Sequence, residues 1–245
     1  MVGGWMWVPQ LDRLESRRCI VPDLPGIGAS GDQPWHSLSD TADQVSEVIA
    51  DNSGEAHVVG LSLGGLVGLH LAARHPEKAS SLVVSGVPSG PVPKRLTVFG
   101  QVFNALYGNP LGLRVLSRLI GLPKGEVRSA FTETAKKTNP SAIKTITAEV
   151  YGEPLPTTLE DIAVPTLAVV GDGDTKPCLE GVRHLSSMMP NATGCTVPEV
   201  GHPWNGHKPD LFTDMITTWI DDRKLAEGLV PLVQERQRRP FLNRS

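Results

Sequence analysis

The chain has 245 residues, 40% of them hydrophobic and 20% charged. This suffices to bury one large core, and the length suits a single domain with an insertion better than two domains. A net charge of −3 provides no field for nucleic acid or an anionic membrane surface. The three cysteines, Cys19, Cys178 and Cys195, are odd in number and unpatterned. That argues against a disulfide framework or a zinc site and fits a reducing, cytoplasmic compartment. No apolar run approaches the roughly 20 residues of a membrane span. The start, Met1 to Trp5, lacks the basic segment and apolar core of a signal peptide.

In chain order, the spacing predicts a short helix over Pro9 to Glu15, then a buried strand over Arg17 to Val21 ended by a turn at Pro22-Asp23. Leu24-Pro25-Gly26-Ile27-Gly28-Ala29-Ser30-Gly31 follows, and it contains G-x-G-x-x-G, the spelling of a dinucleotide fingerprint. That reading needs the glycines to open a helix at once. Here Pro22, Pro25 and Pro34 break the segment and helical spacing resumes only near Ser39, so a structural loop is the better reading. Ala42, Val45, Val48 and Ile49 mark a helix over Ser39 to Asp51, with Ser39 or Asp40 as its cap. Ala56 to Val59 reads as a strand, Leu63 to His75 as a helix and Ser80 to Val84 as another strand.

After Pro88 the rhythm changes. Four helical faces follow one another: Phe99, Val102, Phe103, Leu106 and Tyr107; Val115, Leu116, Leu119 and Ile120; Val127, Ala130 and Phe131; and Ile143, Ile146 and Val150, the last started by Pro140. Strands resume at Pro165 to Val170 and near Gly194 to Val197, and a final helix carries Leu211, Phe212, Met215, Ile216, Trp219 and Ile220. The alternation predicts an α/β fold, a doubly wound, mostly parallel sheet with an inserted helical lid. Its expected division is a core of residues 1–90 and 160–226, a lid of residues 91–159, and a C-terminal tail of residues 227–245. The tail carries Arg236, Arg238, Arg239 and Arg244 and reads as a solvated or loosely docked terminus.

The chemistry centres on Gly60-Leu61-Ser62-Leu63-Gly64, which has the G-x-S-x-G spacing of a nucleophile elbow. Such a serine sits on a strained strand-to-helix turn, and the N–H of the next residue, Leu63, points to where an oxyanion forms. A serine hydroxyl needs a base, usually an imidazole held by a carboxylate. Those partners belong on loops at the C-terminal ends of strands. Asp174 and His202 stand at two such places and follow Ser62 in the chain order serine, acid, histidine. Asp172 competes with Asp174, and His207 with His202. His36, His57, His70, His75 and His184 fall in positions typical of structural histidines. No cofactor motif survives, and no histidine–carboxylate spacing suggests a metal site.

These motifs together resemble the α/β-hydrolase superfamily, in particular its lidded esterase and lactonase-like branch. Asp23 to Ser30 is similar to its D-x-x-G-x-G-x-S loop, and Gly60 to Gly65 to its elbow. Gly171-Asp172-Gly173-Asp174 is similar to its G-x-x-D acid loop. Gly201-His202 with Pro209-Asp210-Leu211-Phe212 is similar to its terminal G-H…P-x-x-F pattern. The resemblance implies Ser62 as nucleophile, Leu63 N–H as an oxyanion donor, Asp174 as the acid and His202 as the base.

The resemblance also implies three strands before the Trp5 region, the third ending in a His-Gly motif whose loop supplies a second oxyanion N–H. The chain starts after that point, which suggests a truncated or misassigned start. The strands expected at residues 18–22 and 56–59 would then pair directly or leave open edges. Met1 and Val2 are the backbone candidates for the second donor, whose loss costs roughly 2.7–4 kcal/mol, or about 10²–10³ in rate.

The expected activity is hydrolysis of a small, hydrophobic carboxylic ester, thioester or lactone through an acyl-enzyme, with no cofactor and no nucleic-acid partner. C–C bond hydrolysis and perhydrolysis are variants on the same scaffold. Dehalogenase and epoxide hydrolase chemistry would need a carboxylate where Ser62 stands. The rival expectation is a weakly active or non-catalytic ligand-binding protein of the same fold.

Overall fold

Four runs of small and β-branched residues form the parallel strands β1 (Ala56–Leu61), β2 (Ala79–Ser85), β3 (Thr166–Gly171) and β4 (Ala192–Val197). These are seen in a computed structural model, which describes residues 3–90, 94–107, 109–119, 122, 125–152 and 154–232. A fifth strand, β5 (Val230–Pro231), pairs antiparallel with β4, and the sheet order is β1-β2-β3-β4-β5. The helices are α1 (Val8–Leu11), α2 (Leu38–Asn52), α3 (Leu63–Arg74), α4 (Lys94–Tyr107), α5 (Pro110–Leu119), α6 (Glu126–Lys137), α7 (Pro140–Tyr151), α8 (Lys176–Met188), α9 (Trp204–His207) and α10 (Pro209–Asp222).

β3 is buried at every position because both faces of the sheet are covered. Successive side chains point to opposite faces. Leu82, Val84, Ala168 and Val170 therefore meet Ala42 of α2, Leu66 of α3 and Val182 of α8 on one face. Val83, Leu167, Val169, Cys195 and Val197 meet Trp204, Phe212, Met215 and Trp219 on the other. This is the doubly wound arrangement.

Between β2 and β3 lie α4 to α7, which build a small core of their own from Tyr107, Leu116, Phe131 and Ile143. The Tyr107 and Phe131 rings meet edge to face at 6.0 Å. α7 starts as its sequence indicates, with Pro140 in the first turn and Asn139 Oδ1 accepting from the N–H of Ser141.

Several expectations are corrected. Residues 17–21 form no strand: Cys19 is exposed and Ile20 is 46% exposed. An extended run becomes a strand only by pairing, and among the described residues nothing pairs with the outer edge of β1. The first helix is shorter than expected, a 3-10 turn over Gly4–Trp7 followed by α1. The α2 cap is Ser37, whose Oγ accepts from Asp40 N at 3.0 Å, so Ser39 and Asp40 lie inside the first turn. Of the expected tail, the described residues up to 232 dock on the sheet as β5, with Leu232 N–H donating to Gly194 O at 2.9 Å, which agrees with the docked alternative. Met1, Val2 and the four tail arginines lie outside the described residues. No helix among the described residues is long and apolar enough to cross a membrane.

Gly181 marks a close approach of α8 to the loop after β2, since a Cβ there would stand 1.9 Å from Val87 O. Alanine normally favours a helix over glycine by about 1 kcal/mol, but here it must displace backbone, which costs about 1–3 kcal/mol. Gly181→Ala is expected to lower the urea midpoint and the Tm, and an unchanged or raised midpoint would contradict this packing.

Candidate active site

Ser62 is the single residue between β1 and α3, with φ 54° and ψ −115°. Positive φ is strained for a residue with a Cβ, and the surroundings impose it. A Cβ at Gly60 would stand 2.2 Å from Gly64 O, and one at Gly65 would stand 2.7 Å from Val87 Cγ1. Gly64 has open space at the same position. The close approach therefore needs glycine at 60 and 65, while the second glycine of the G-x-S-x-G spelling is sterically free. Ser62 N–H donates to Ser85 O at 2.7 Å. Leu63 is the first residue of α3, so its N–H has no partner within the helix and lies at the positive end of the helix dipole.

The other two candidates come from loops that clasp each other. After β3, Asp172 N–H donates to Val197 O at 2.9 Å and Gly173 N–H to Val200 O at 3.0 Å. A Cβ at Gly171 would stand 2.3 Å from Val200 O. This clasp sets Asp174 beside His202, with Asp174 Oδ2 at 2.8 Å from His202 Nδ1. Asp174 Oδ1 accepts from Thr175 N–H at 2.6 Å. The Asp174 side chain is 1% exposed and that of His202 38%. Asp172 is exposed, and so is His207 at the end of α9. Ser62 Oγ makes no hydrogen bond to His202. Such bonds are commonly long in a free enzyme and tighten when substrate binds.

Partial burial works against a charged His202 ring, but the hydrogen bond to the Asp174 carboxylate, reinforced by the sulfur of Cys178, carries its pKa above the ordinary 6.5.

All three loops meet at Ser85-Gly86, the end of β2. Ser85 O accepts from Ser62 N–H, and Ser85 Oγ accepts from Trp204 Nε1 at 2.9 Å. Both Ser85 and Trp204 are 0% exposed. Gly86 N–H donates to Val169 O at 3.0 Å. Gly86 O accepts from Cys178 Sγ at 3.4 Å. A Cβ at Gly86 would stand 2.9 Å from the His202 ring and 3.2 Å from Asp174 Oδ2. Ser85, Gly86, Cys178 and Trp204 were not singled out from the sequence. The available signal was a Ser-Gly pair closing the strand beside the elbow.

The loop with the dinucleotide spelling is structural. Asp23 Oδ1 accepts from Gly4 N–H at 2.7 Å and Oδ2 from Ala29 N–H at 2.8 Å. Gly28–Ser30 forms a 3-10 turn, not the start of a helix. Asn139 N–H donates to Gly26 O at 2.9 Å and ties this loop to α7. The remaining bonded histidines are held locally: His57 by Ser81 Oγ, His70 between Ser39 Oγ and Pro154 O, and His75 by Asp43.

Comparison with known proteins places the family and the fold. The sequence profile of the Alpha/beta hydrolase family matches residues 1–215. RutD of Pantoea ananatis, provisionally named a carbamate hydrolase, is 28% identical over 230 residues, covering 89% of this chain and 84% of its own. A pimeloyl-[acyl-carrier protein] methyl ester esterase of Nitrosomonas europaea is 27% identical over 223 residues, covering 82% of this chain and 87% of its own. A thermophilic esterase of Thermogutta terrifontis superposes with a TM-score of 0.71 at 22% identity, covering 89% of this chain and 85% of its own. At that identity the likeness speaks for the fold alone.

Two outcomes are expected. In an NMR titration His202 should lose its proton above pH 6.5. Asp174→Asn should move that midpoint downward, because burial remains and the carboxylate is gone; an unmoved midpoint would contradict the pairing. Ser85→Ala leaves Trp204 Nε1 buried without its acceptor and should cost about 1–3 kcal/mol. Adding Trp204→Phe should recover part of this, giving a coupling of at least about 0.5 kcal/mol in a double-mutant cycle of urea unfolding.

Proposed function

The chain belongs to the Alpha/beta hydrolase family, and on that premise we propose that it is a serine hydrolase cleaving a small carboxylic ester, thioester or lactone through Ser62, His202 and Asp174. The observation that carries this reading is the hydrogen bond between a buried carboxylate and His202 Nδ1, at the sheet edge where the strained Ser62 stands. Asp174 holds the His202 proton on Nδ1, which leaves the Nε2 lone pair free. Nε2 takes the Ser62 proton as Oγ attacks the substrate carbonyl. The tetrahedral oxyanion develops toward Leu63 N–H. Collapse returns the proton to the leaving alcohol or thiol and leaves an acyl-Ser62. Water, deprotonated by the same nitrogen, then releases the acid. Because the base must be neutral, kcat/KM should rise with pH through the raised pKa of His202.

The helices α4 to α7 act as the lid in this reading. Glu149 of α7 ties them to the core, accepting from Leu38 N–H at 2.8 Å and Trp35 Nε1 at 3.1 Å. Val102, Leu111, Val115 and Val127 leave this insertion with an exposed apolar surface, which favours a hydrophobic acyl or alcohol group. The esterase among the relatives supports an ester substrate, and RutD makes a carbamate the nearest variant, since attack on its carbonyl is the same step. Three unpaired cysteines, two of them buried, favour a reducing cytoplasm.

A fluorophosphonate probe tests the reading. It should label the native protein, and Ser62→Ala and His202→Ala should abolish the labelling while leaving the circular dichroism spectrum unchanged. A folded native protein that takes no label would overturn the serine mechanism in favour of a ligand-binding role. Rates on short and long p-nitrophenyl esters then assign the acyl chain length.

A further inference from the structure

Cys178 forms no bond and moves no proton in the reaction proposed above, yet its sulfur stands against the two residues that hold the proton. It lies in the first turn of α8 and is 6% exposed. Its Sγ is 3.3 Å from Thr175 Oγ1 and 3.4 Å from Gly86 O. Cys178 Sγ, a ring nitrogen of His202 and a carboxylate oxygen of Asp174 all lie within 4.8 Å of one another. No other group of three histidine, cysteine or acidic side chains converges in this way among the described residues. We propose that a thiophilic divalent cation of the zinc class binds between Cys178 Sγ, His202 Nδ1 and Asp174, and that it switches the hydrolase off by occupying Nδ1.

The donors suit such an ion. One thiolate, one imidazole and one carboxylate are ordinary zinc ligands, at about 2.3, 2.0–2.1 and 2.0–2.2 Å, with the fourth tetrahedral position left to water. Those lengths place the ligand atoms about 3.3–3.8 Å apart around a tetrahedral ion. The three donor atoms, already within 4.8 Å of one another, need only small adjustments, and the 2.8 Å gap between Nδ1 and Oδ2 must open slightly. Both are side-chain movements, and the partly exposed His202 ring gives the ion its way in.

The inhibition follows from proton placement, and in this respect the inference rests on the serine-hydrolase reading. The cation takes the place of the proton on Nδ1, and the thiol gives its proton to solvent. The displaced ring proton is taken up at Nε2 through water, so the imidazole stays neutral but in the opposite tautomer. Nε2 then donates instead of accepting, and Ser62 has no base. Ser62 itself is untouched, so the block is reversible by chelation.

The test uses the full chain carrying Cys19→Ser, which removes the exposed thiol. Cobalt(II) is the spectroscopic probe, because thiolate ligation gives a near-ultraviolet charge-transfer band that does not depend on turnover. That band should form in the Cys19→Ser protein and vanish when Cys178→Ala is added, with Cys178→Ser checked alongside in case alanine disturbs the packing. Zinc should inhibit p-nitrophenyl acetate hydrolysis and EDTA should restore it. Measured against each variant's own metal-free rate, losing Cys178 should raise the half-inhibitory zinc concentration at least about tenfold. Absence of the cobalt band from an active enzyme, or equal zinc sensitivity with and without Cys178, would overturn the metal site and leave the hydrolase reading intact. A Cys178-dependent band in a protein that hydrolyses no ester would support the site while removing the serine mechanism.

Discussion

The site depends on how the end of β2 is held between its neighbours. In the parallel ladder Ser85 lies opposite Leu61 on one side and Val169 on the other. The residue that follows β1 is Ser62, and the chain beyond β3 turns into the loop that carries Asp174. Register alone therefore delivers the elbow and the acid loop to one place. A slip of one residue would turn every inward side chain outward, and the two buried clusters on the faces of the sheet forbid it. Ser85 then uses its carbonyl for the elbow and its hydroxyl for Trp204, two residues beyond His202. Gly86 leaves the space in which the Asp174–His202 pair fits.

This arrangement explains which parts could be read in the sequence. The candidates Ser62, Asp174 and His202 can be picked out of the sequence because few residue types can do the proposed chemistry and because strand ends are where loops can present them. The helices were legible where apolar spacing and a breaker coincide, as at Pro140. Ser85 and Trp204 look like ordinary core residues, and only the contact between them gives them a positioning role. Cys178 was unreadable for a related reason: the fold, not the spacing, sets its sulfur beside His202.

The failures have physical causes as well. Arg17 to Val21 has the composition of a strand, but strand formation is a property of a pair, and no neighbour among the described residues supplies the hydrogen bonds. β5 is too short to leave a pattern of its own and exists because the open edge of β4 accepts it. At α2 three polar residues, Ser37, Ser39 and Asp40, could each cap the helix, and the choice of Ser37 puts Leu38 into the core, where it is 1% exposed. Burial of that leucine, not capping propensity, fixes the boundary.

Ser62 is held where a residue with a side chain is uncomfortable. A non-glycine at positive φ of this kind costs of order 1–3 kcal/mol, comparable to what many single substitutions remove from a domain's stability. Glycine at the same position would relieve that strain while keeping the turn, so selection for stability alone would tend to erase the hydroxyl. The elbow is thus a place where foldedness and chemistry pull the sequence in opposite directions. A serine there costs the fold more than glycine would, which accords with the nucleophile role proposed for Ser62.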